Sequence, residues 1–188
     1  DEYNQRGETG QDLKEDMIDL IGAGRGLYIH SSHGQVNRIT FGWGGECHEG
    51  EPPQASFWSS QVEGLLSNSL KYPFMMALAC STAEMDNSQS VSVAEAFVNN
   101  PTKGSIGYFG AVRGAGYSSA KALINRAARA LTIDGAHVLG RAILRAKIGP
   151  ISRHEEKFNF NLLGDPATDI GPALTGGTCD SMNELFEF

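Results

Sequence analysis

Long apolar runs are missing from this chain of 188 residues. Stretches such as Phe74 to Ala79 fall far short of the roughly 18 residues that a membrane-spanning helix needs. Basic clusters are missing too, and the formal net charge of −7 argues against a protein that tracks nucleic-acid phosphates with Lys and Arg. Cysteine is scarce: Cys47, Cys80 and Cys179 are an odd number without C-x-x-C spacing, so neither a disulfide framework nor a zinc ribbon is encoded. At least one thiol is expected to stay free. With 40% hydrophobic and 20% charged residues, the composition is that of one globular domain spanning 1–188, large enough to bury roughly 70% of its unfolded surface without cross-links. The opening Asp1-Glu2-Tyr3-Asn4-Gln5 reads like the interior of a longer protein, so processing from a precursor is the expectation.

Helical periodicity over Gly10 to Gly22 sets Leu13, Met17, Leu20 and Ile21 on one face and stops on glycine. A β-prone run, Gly26 to His30, then gives way to Ser31-Ser32-His33-Gly34, expected as the loop after a buried strand. Residues 43–58, rich in Gly, Pro, Ser and Glu, read as a loop insertion. A short helix is expected within 60–71, a second apolar strand over Phe74 to Ala79 ending at Cys80, and a helix over 91–98. A third strand follows within 105–112, then the glycine-rich Arg113-Gly114-Ala115-Gly116-Tyr117 and helices over 118–131 and 135–147. Strands that are apolar throughout and alternate with helices imply an α/β fold with a mostly parallel sheet covered on both faces. Ligands bind such sheets outside the carboxyl ends of the strands, the edge on which His33 and Cys80 fall.

A Cys just past one buried strand and a His just past another is what thiol-based acyl transfer requires. The thiolate attacks, the imidazole protonates the leaving group, and the side-chain-free Gly34 lets a backbone N–H approach a developing oxyanion together with that of Cys80. The competing reading is a Cys buried as inert core, which is the commoner fate of a cysteine ending an apolar strand.

The blocks Gly26-Leu27-Tyr28-Ile29-His30-Ser31-Ser32-His33-Gly34 and Phe74 through Ala79-Cys80 resemble the paired signature of caspase-like cysteine peptidases, and within that group the gingipain family. Val93-Ala94-Glu95-Ala96-Phe97, Lys103 to Gly110, and Phe160-Asn161-Leu162-Leu163-Gly164-Asp165-Pro166 are similar to further segments of that family, in the same order. The resemblance spans about residues 12 to 170. It implies a caspase-like three-layer sandwich and cysteine endopeptidase activity on a protein or peptide substrate, with Cys80 as nucleophile, His33 as general acid and Gly34 in the oxyanion hole. It also implies cleavage after Arg or Lys, and an extracellular or periplasmic location.

Two departures accompany the likeness. The family's orienting acid comes from well before the His-Gly block, where this chain holds only 32 residues; Glu2, Glu8, Asp12, Glu15, Asp16 and Asp19 mostly fit a solvated helix face. Either a second chain or removed segment supplies the acid, or the site works as a dyad. The 47 positions from His33 to Cys80 are more than the pattern usually has, and place the Trp43 to Trp58 loop as a candidate lid.

For substrate contact the candidates are Tyr117, by stacking, Arg113, and the acidic Glu84 and Asp86; solvated loop charge is the plainer reading of the last three. His30, His33, Cys47 and His48 form a weak metal candidate, since strand residues three apart point to opposite faces, and a metal-dependent hydrolase is correspondingly disfavoured. Some relatives in the family bind calcium, and Asp165, Thr168 and Asp169 offer oxygens, but their spacing matches no calcium loop, so no metal or cofactor is assigned. A non-catalytic module of the same fold that binds a partner is the alternative to an enzyme.

Overall fold

The computed structural model describes residues 9–41, 55–150, 153–171 and 174. Helix α1 (Gly10–Gly22) begins where a capping box predicts, with Thr9 Oγ1 accepting from the Asp12 N–H at 3.2 Å and Asp12 Oδ2 accepting from the Thr9 N–H at 2.7 Å. It buries Met17 and Ile21. Strand β1 (Leu27–Ser31) follows, and then three short strands, β2 (His33–Gln35), β3 (Arg38–Phe41) and β4 (Ala55–Trp58), form an antiparallel sheet in the order β2-β3-β4. A 3-10 turn (Ser59–Gln61), α2 (Val62–Leu65) and β5 (Phe74–Leu78) come next. The remaining elements are α3 (Val93–Val98), β6 (Gly107–Ala111), α4 (Tyr117–Thr132), α5 (Leu139–Ile148), α6 (Glu156–Asn159) and β7 (Phe160–Gly164).

The central sheet runs β1-β5-β6-β7, with β1, β5 and β6 parallel and β7 antiparallel to β6. Its register sets Leu27 to Ser31 opposite Phe74 to Leu78, so β1 and β5 end at the same edge. Both faces are covered, which is why β5 is apolar at every position. Phe74, Met76, Leu78 and Phe109 face α4 and α5, where Ala120, Ala127 and Ala128 let the helix lie close to the sheet. The alternate residues Met75, Ala77 and Tyr108 face α1, α3 and the small sheet, packing with Met17, Phe97, Ile39 and Phe57. Each fully buried Phe or Met contributes about 1.5–3 kcal/mol through the water it sheds. The result is the three-layer α/β sandwich expected from the sequence.

Three expectations need correction. His33-Gly34 is not loop: it opens β2, paired with Thr40 and Ile39 of β3, and a two-residue turn at Val36-Asn37 closes that hairpin. Within 43–58, residues 55–58 form β4 rather than loop, because Phe57 is fully buried in the core and its backbone pairs with Ile39. The rest of that segment, with residues 43–54 of the candidate lid, Cys47 and His48, lies outside the described residues, as does Cys179. The helix expected over 135–147 starts only at Leu139, after a bridge between Val138 and Asp169.

Candidate functional site

The polypeptide leaves the carboxyl ends of β1 and β5 side by side. The Ser32 N–H still donates to Leu78 O at 3.1 Å, extending the parallel ladder by one residue before the chain turns into β2. That turn lays Gly34 on the Cys80 segment. A Cβ at position 34 would sit 2.6 Å from Cys80 O, 2.7 Å from Thr82 Cγ2 and 2.9 Å from Ala79 Cβ, so only glycine permits the approach. The structure thus brings the His33-Gly34 backbone and the Cys80 backbone to one edge. His33 is exposed there, whereas His30, three residues earlier, is buried with neither ring nitrogen bonded. Burial lowers the His30 pKa from 6.5 to about 4, so this ring is a neutral core histidine.

Cys80 is a free thiol, half-buried. The residue after it, Ser81, adopts a left-handed conformation with φ of 53°, unusual for a side-chain-bearing residue and of the kind that collects at functional turns. Its N–H is held by Arg113 O at 3.0 Å, and the Ala83 N–H by Ala111 O at 2.9 Å, so the loop after β5 continues alongside the end of β6. The sulfur turns toward that neighbour: the Ala115 N–H donates to Sγ at 3.4 Å, and Sγ lies 3.9 Å from Ala115 O.

A cleft of about 620 Å³ opens at the sulfur, walled by Cys80, residues 112–116 and the segment around α6. Glu156, only 4% exposed, lies in its wall; one carboxylate oxygen accepts from the Gly116 N–H at 2.6 Å and the other from Asn159 Nδ2 at 3.1 Å. Arg153 lies over Gly116 at the margin, with Glu155 and Phe158 on the rim.

Of the four substrate-contact candidates, Arg113 alone lines the cleft. Its guanidinium grips Asp86 in two hydrogen bonds of 3.0 and 2.6 Å, with Glu84 at 3.8 Å. The hydrogen bond from Arg113 holds the Asp86 carboxyl below the usual carboxylate range, and Asp86 in turn raises the guanidinium pKa. Three residues singled out separately therefore form one ion cluster at the surface, in which the Arg113 cation faces both carboxylates. Tyr117, 60% exposed, opens α4 outside the cleft and lies beneath the Lys121 ammonium, 5.8 Å from its ring centre.

The sequence singles out neither Glu156 nor Asn159. Their i, i+3 spacing was the available signal, since it puts both side chains on one face of even a single helical turn. For metal, Asp165 Oδ1 is occupied by the Ala167 N–H and Asp169 Oδ1 by the Gly171 N–H, each at 2.8 Å. Among the described residues no three His, Cys, Asp or Glu side chains come together as metal ligands. Among them, too, no helix is long and apolar enough to cross a membrane.

Comparison with known proteins adds to this geometry. The family model of Peptidase family C25 matches residues 1–171. The fold is similar to the crystal structure of the Arg-specific cysteine proteinase gingipain R, with a TM-score of 0.65 and 17% identity over 82% of this chain and 35% of that one. It is also similar to a complex of the RgpB pro- and mature domains from Porphyromonas gingivalis, with a TM-score of 0.64 and 17% identity over 86% of this chain and 37% of that one. The chain spans little more than a third of the length of these solved relatives. No curated protein sequence matches it.

Proposed function

The chain belongs to peptidase family C25, and on that premise we propose that it carries the nucleophile and general acid of a cysteine endopeptidase. The observation that carries this reading is the seat of Gly34 on the Cys80 carbonyl, which sets the His-Gly and Cys segments against one another at a single sheet edge. In the proposed reaction the Cys80 thiolate attacks the scissile carbonyl carbon, and the oxyanion accepts hydrogen bonds from the Gly34 and Cys80 N–H groups. His33 protonates the departing amine as the C–N bond breaks, leaving a thioester. Water then attacks the thioester carbonyl while His33 takes its proton, and the carboxylic acid product leaves as sulfur is released as thiolate.

Preference for Arg or Lys before the cut is part of the proposal. Support comes from Glu156, whose oxygens each hold one hydrogen bond and retain acceptor capacity, and from Glu155 beside it. The cation of Arg113 is answered by Asp86 and Glu84, whereas Arg153, which also lines the cleft, is a cation that this preference has to accommodate. His33 and Cys80 work as a dyad in this reading unless a second chain or a segment of the same precursor supplies the acid that would orient His33. An extracellular or periplasmic location follows from the same reading.

The test is intact-mass analysis after brief, sub-stoichiometric treatment with a peptidyl acyloxymethyl ketone ending in Arg. One adduct that maps to Cys80, and is absent from Cys80→Ala, is the expected result. In a peptide-cleavage assay His33→Ala is expected to lose about 100-fold or more in kcat. Labelling only by an Asp- or Asn-ending probe would overturn the basic preference and keep the peptidase. Silence with every probe would favour the partner-binding module.

A further inference from the structure

We infer that Asn159, braced by Glu156, is a positioning residue that holds the Ala115 N–H on the Cys80 sulfur. The inference deepens the proposed function, since it rests on reading Cys80 as the nucleophile.

Within residues 112–116 the backbone is fastened to α6 almost link by link. The Val112 N–H donates to Asn159 O at 2.8 Å and the Arg113 N–H to Asn159 Oδ1 at 2.9 Å. Asn159 Nδ2 returns a bond to Gly114 O at 2.9 Å, and the Gly116 N–H closes the series on Glu156 Oε1 at 2.6 Å. Ala115 is the residue that this series skips, and its N–H and C=O are turned to Cys80 Sγ. Gly114 O shares a planar peptide with the Ala115 N–H, and the Gly116 N–H shares one with the Ala115 C=O, so holding those two groups sets the direction of the Ala115 N–H from α6.

The chemistry at the sulfur is directional. An N–H donor at 3.4 Å stabilises a thiolate by a charge-assisted bond, whereas the carbonyl at 3.9 Å offers a neutral S–H only a long, weak acceptor. Losing the proton therefore strengthens the first contact and forfeits little in the second. An asparagine suits the task because its amide both accepts and donates, and its second N–H reaches Glu156 Oε2, which fixes which way the amide faces.

The experiment measures iodoacetamide modification of Cys80, read by peptide mapping to separate it from Cys47 and Cys179, between pH 6 and pH 10. Asn159→Ala is expected to slow the reaction severalfold at pH 7 and less at pH 10, where the thiol is ionised in either chain. The similar-sized, uncharged Asn159→Leu, which loses the accepted bond and both donated bonds without adding a charge near the sulfur, should behave alike even if the alanine variant folds poorly. Glu156→Gln, which keeps an acceptor for the Gly116 N–H, should slow it by no more than about threefold. A merely structural Asn159 would lower the melting temperature and leave the pH profile of alkylation in place, and that result in both Asn159 variants would overturn the inference. Alkylation needs no peptide substrate. A shifted profile in a chain that cleaves nothing sinks the peptidase and spares the positioning role; an unshifted profile in an active chain does the reverse.

Discussion

The two ends of the central sheet use the same device for different ends. Before β5 and β6 begin, Asn68 is fully buried; its Nδ2 donates to Lys71 O at 3.0 Å and Gly104 O at 2.7 Å, and its Oδ1 accepts from the Gly104 N–H at 3.1 Å. Where β6 ends, Asn159 makes the corresponding pattern with Gly114 O and the Arg113 N–H, but half-buried beside a cleft. The amino end closes on itself: Gly104, at φ of 97°, leaves no room for a side chain against the Phe97 carbonyl, and the clamp satisfies every group it touches. The carboxyl end leaves Ala115 turned to the sulfur and Glu156 with acceptor capacity unspent. One amide clamp holds the fold shut, and its counterpart aims a backbone group.

The sharpest way to break that contrast is Asn68→Ala. It strands one buried N–H and two carbonyls, and by the usual penalty for unsatisfied buried groups it should destabilise the chain by about 3 kcal/mol in urea denaturation. Cys80 alkylation in the folded variant should stay at the wild-type rate. A slowed Cys80 would mean that the two ends are mechanically joined and that the division of labour drawn above is wrong.

A somewhat smaller effect separates the two histidines of the β1–β2 corner. Because His30 is held neutral to about pH 4 while an unfolded chain protonates it near 6.5, the unfolded state binds more protons between those values. Stability is therefore highest above pH 6.5, falls with pH through this window and levels off below 4. The difference between pH 7 and pH 5 comes to about 2 kcal/mol. His30→Leu should flatten this part of the stability profile, and His33→Ala, at an exposed position, should leave it sloping. Equal slopes in the wild type and the His30 variant would show that burial at this position does not govern the titration.

What the sequence made legible follows the range of the interactions involved. The helix over Gly10–Gly22 and the strand at Phe74–Leu78 were readable because periodicity and a two-faced apolar run are local signals. Cys80 and Gly34 were readable as site candidates for the same reason, each ending or following such a run. The small sheet was not, since His33–Gln35 holds no apolar side chain to bury and Arg38–Phe41, although it alternates, is only four residues long. They become strands by pairing with each other and with Ala55–Trp58, and by burying Ile39 and Phe57. Nor did the sequence reveal that Arg113 and Asp86 are partners rather than rival specificity residues, because 27 positions separate them and only the junction of the β5 and β6 loops brings them together. Asn159 and Glu156 stayed hidden in a single helical turn too short to carry a period.

That ion pair yields the mildest expectation, and it tests whether the loop at residues 112–116 is held by its backbone or by its side chains. Arg113 and Asp86 have side chains 55% and 68% exposed, and exposed pairs of this kind gain little over their separate hydration. The loop's backbone keeps its bonds to Asn159 and Ser81 whatever side chain stands at 113. Arg113→Ala should accordingly leave the urea midpoint unchanged within error and Cys80 alkylation at pH 7 within about twofold. The pH dependence agrees in sign: a carboxyl depressed by its partner contributes stability above its ordinary range and loses it as acid protonates it, so any change on removing Arg113 belongs at neutral rather than acid pH. Raising salt should shrink even that residue, as it screens an exposed pair. If Arg113→Ala slowed alkylation as far as Asn159→Ala, the ion pair and not the amide would be fixing the loop, and Ala115 would owe its direction to the surface instead of to α6.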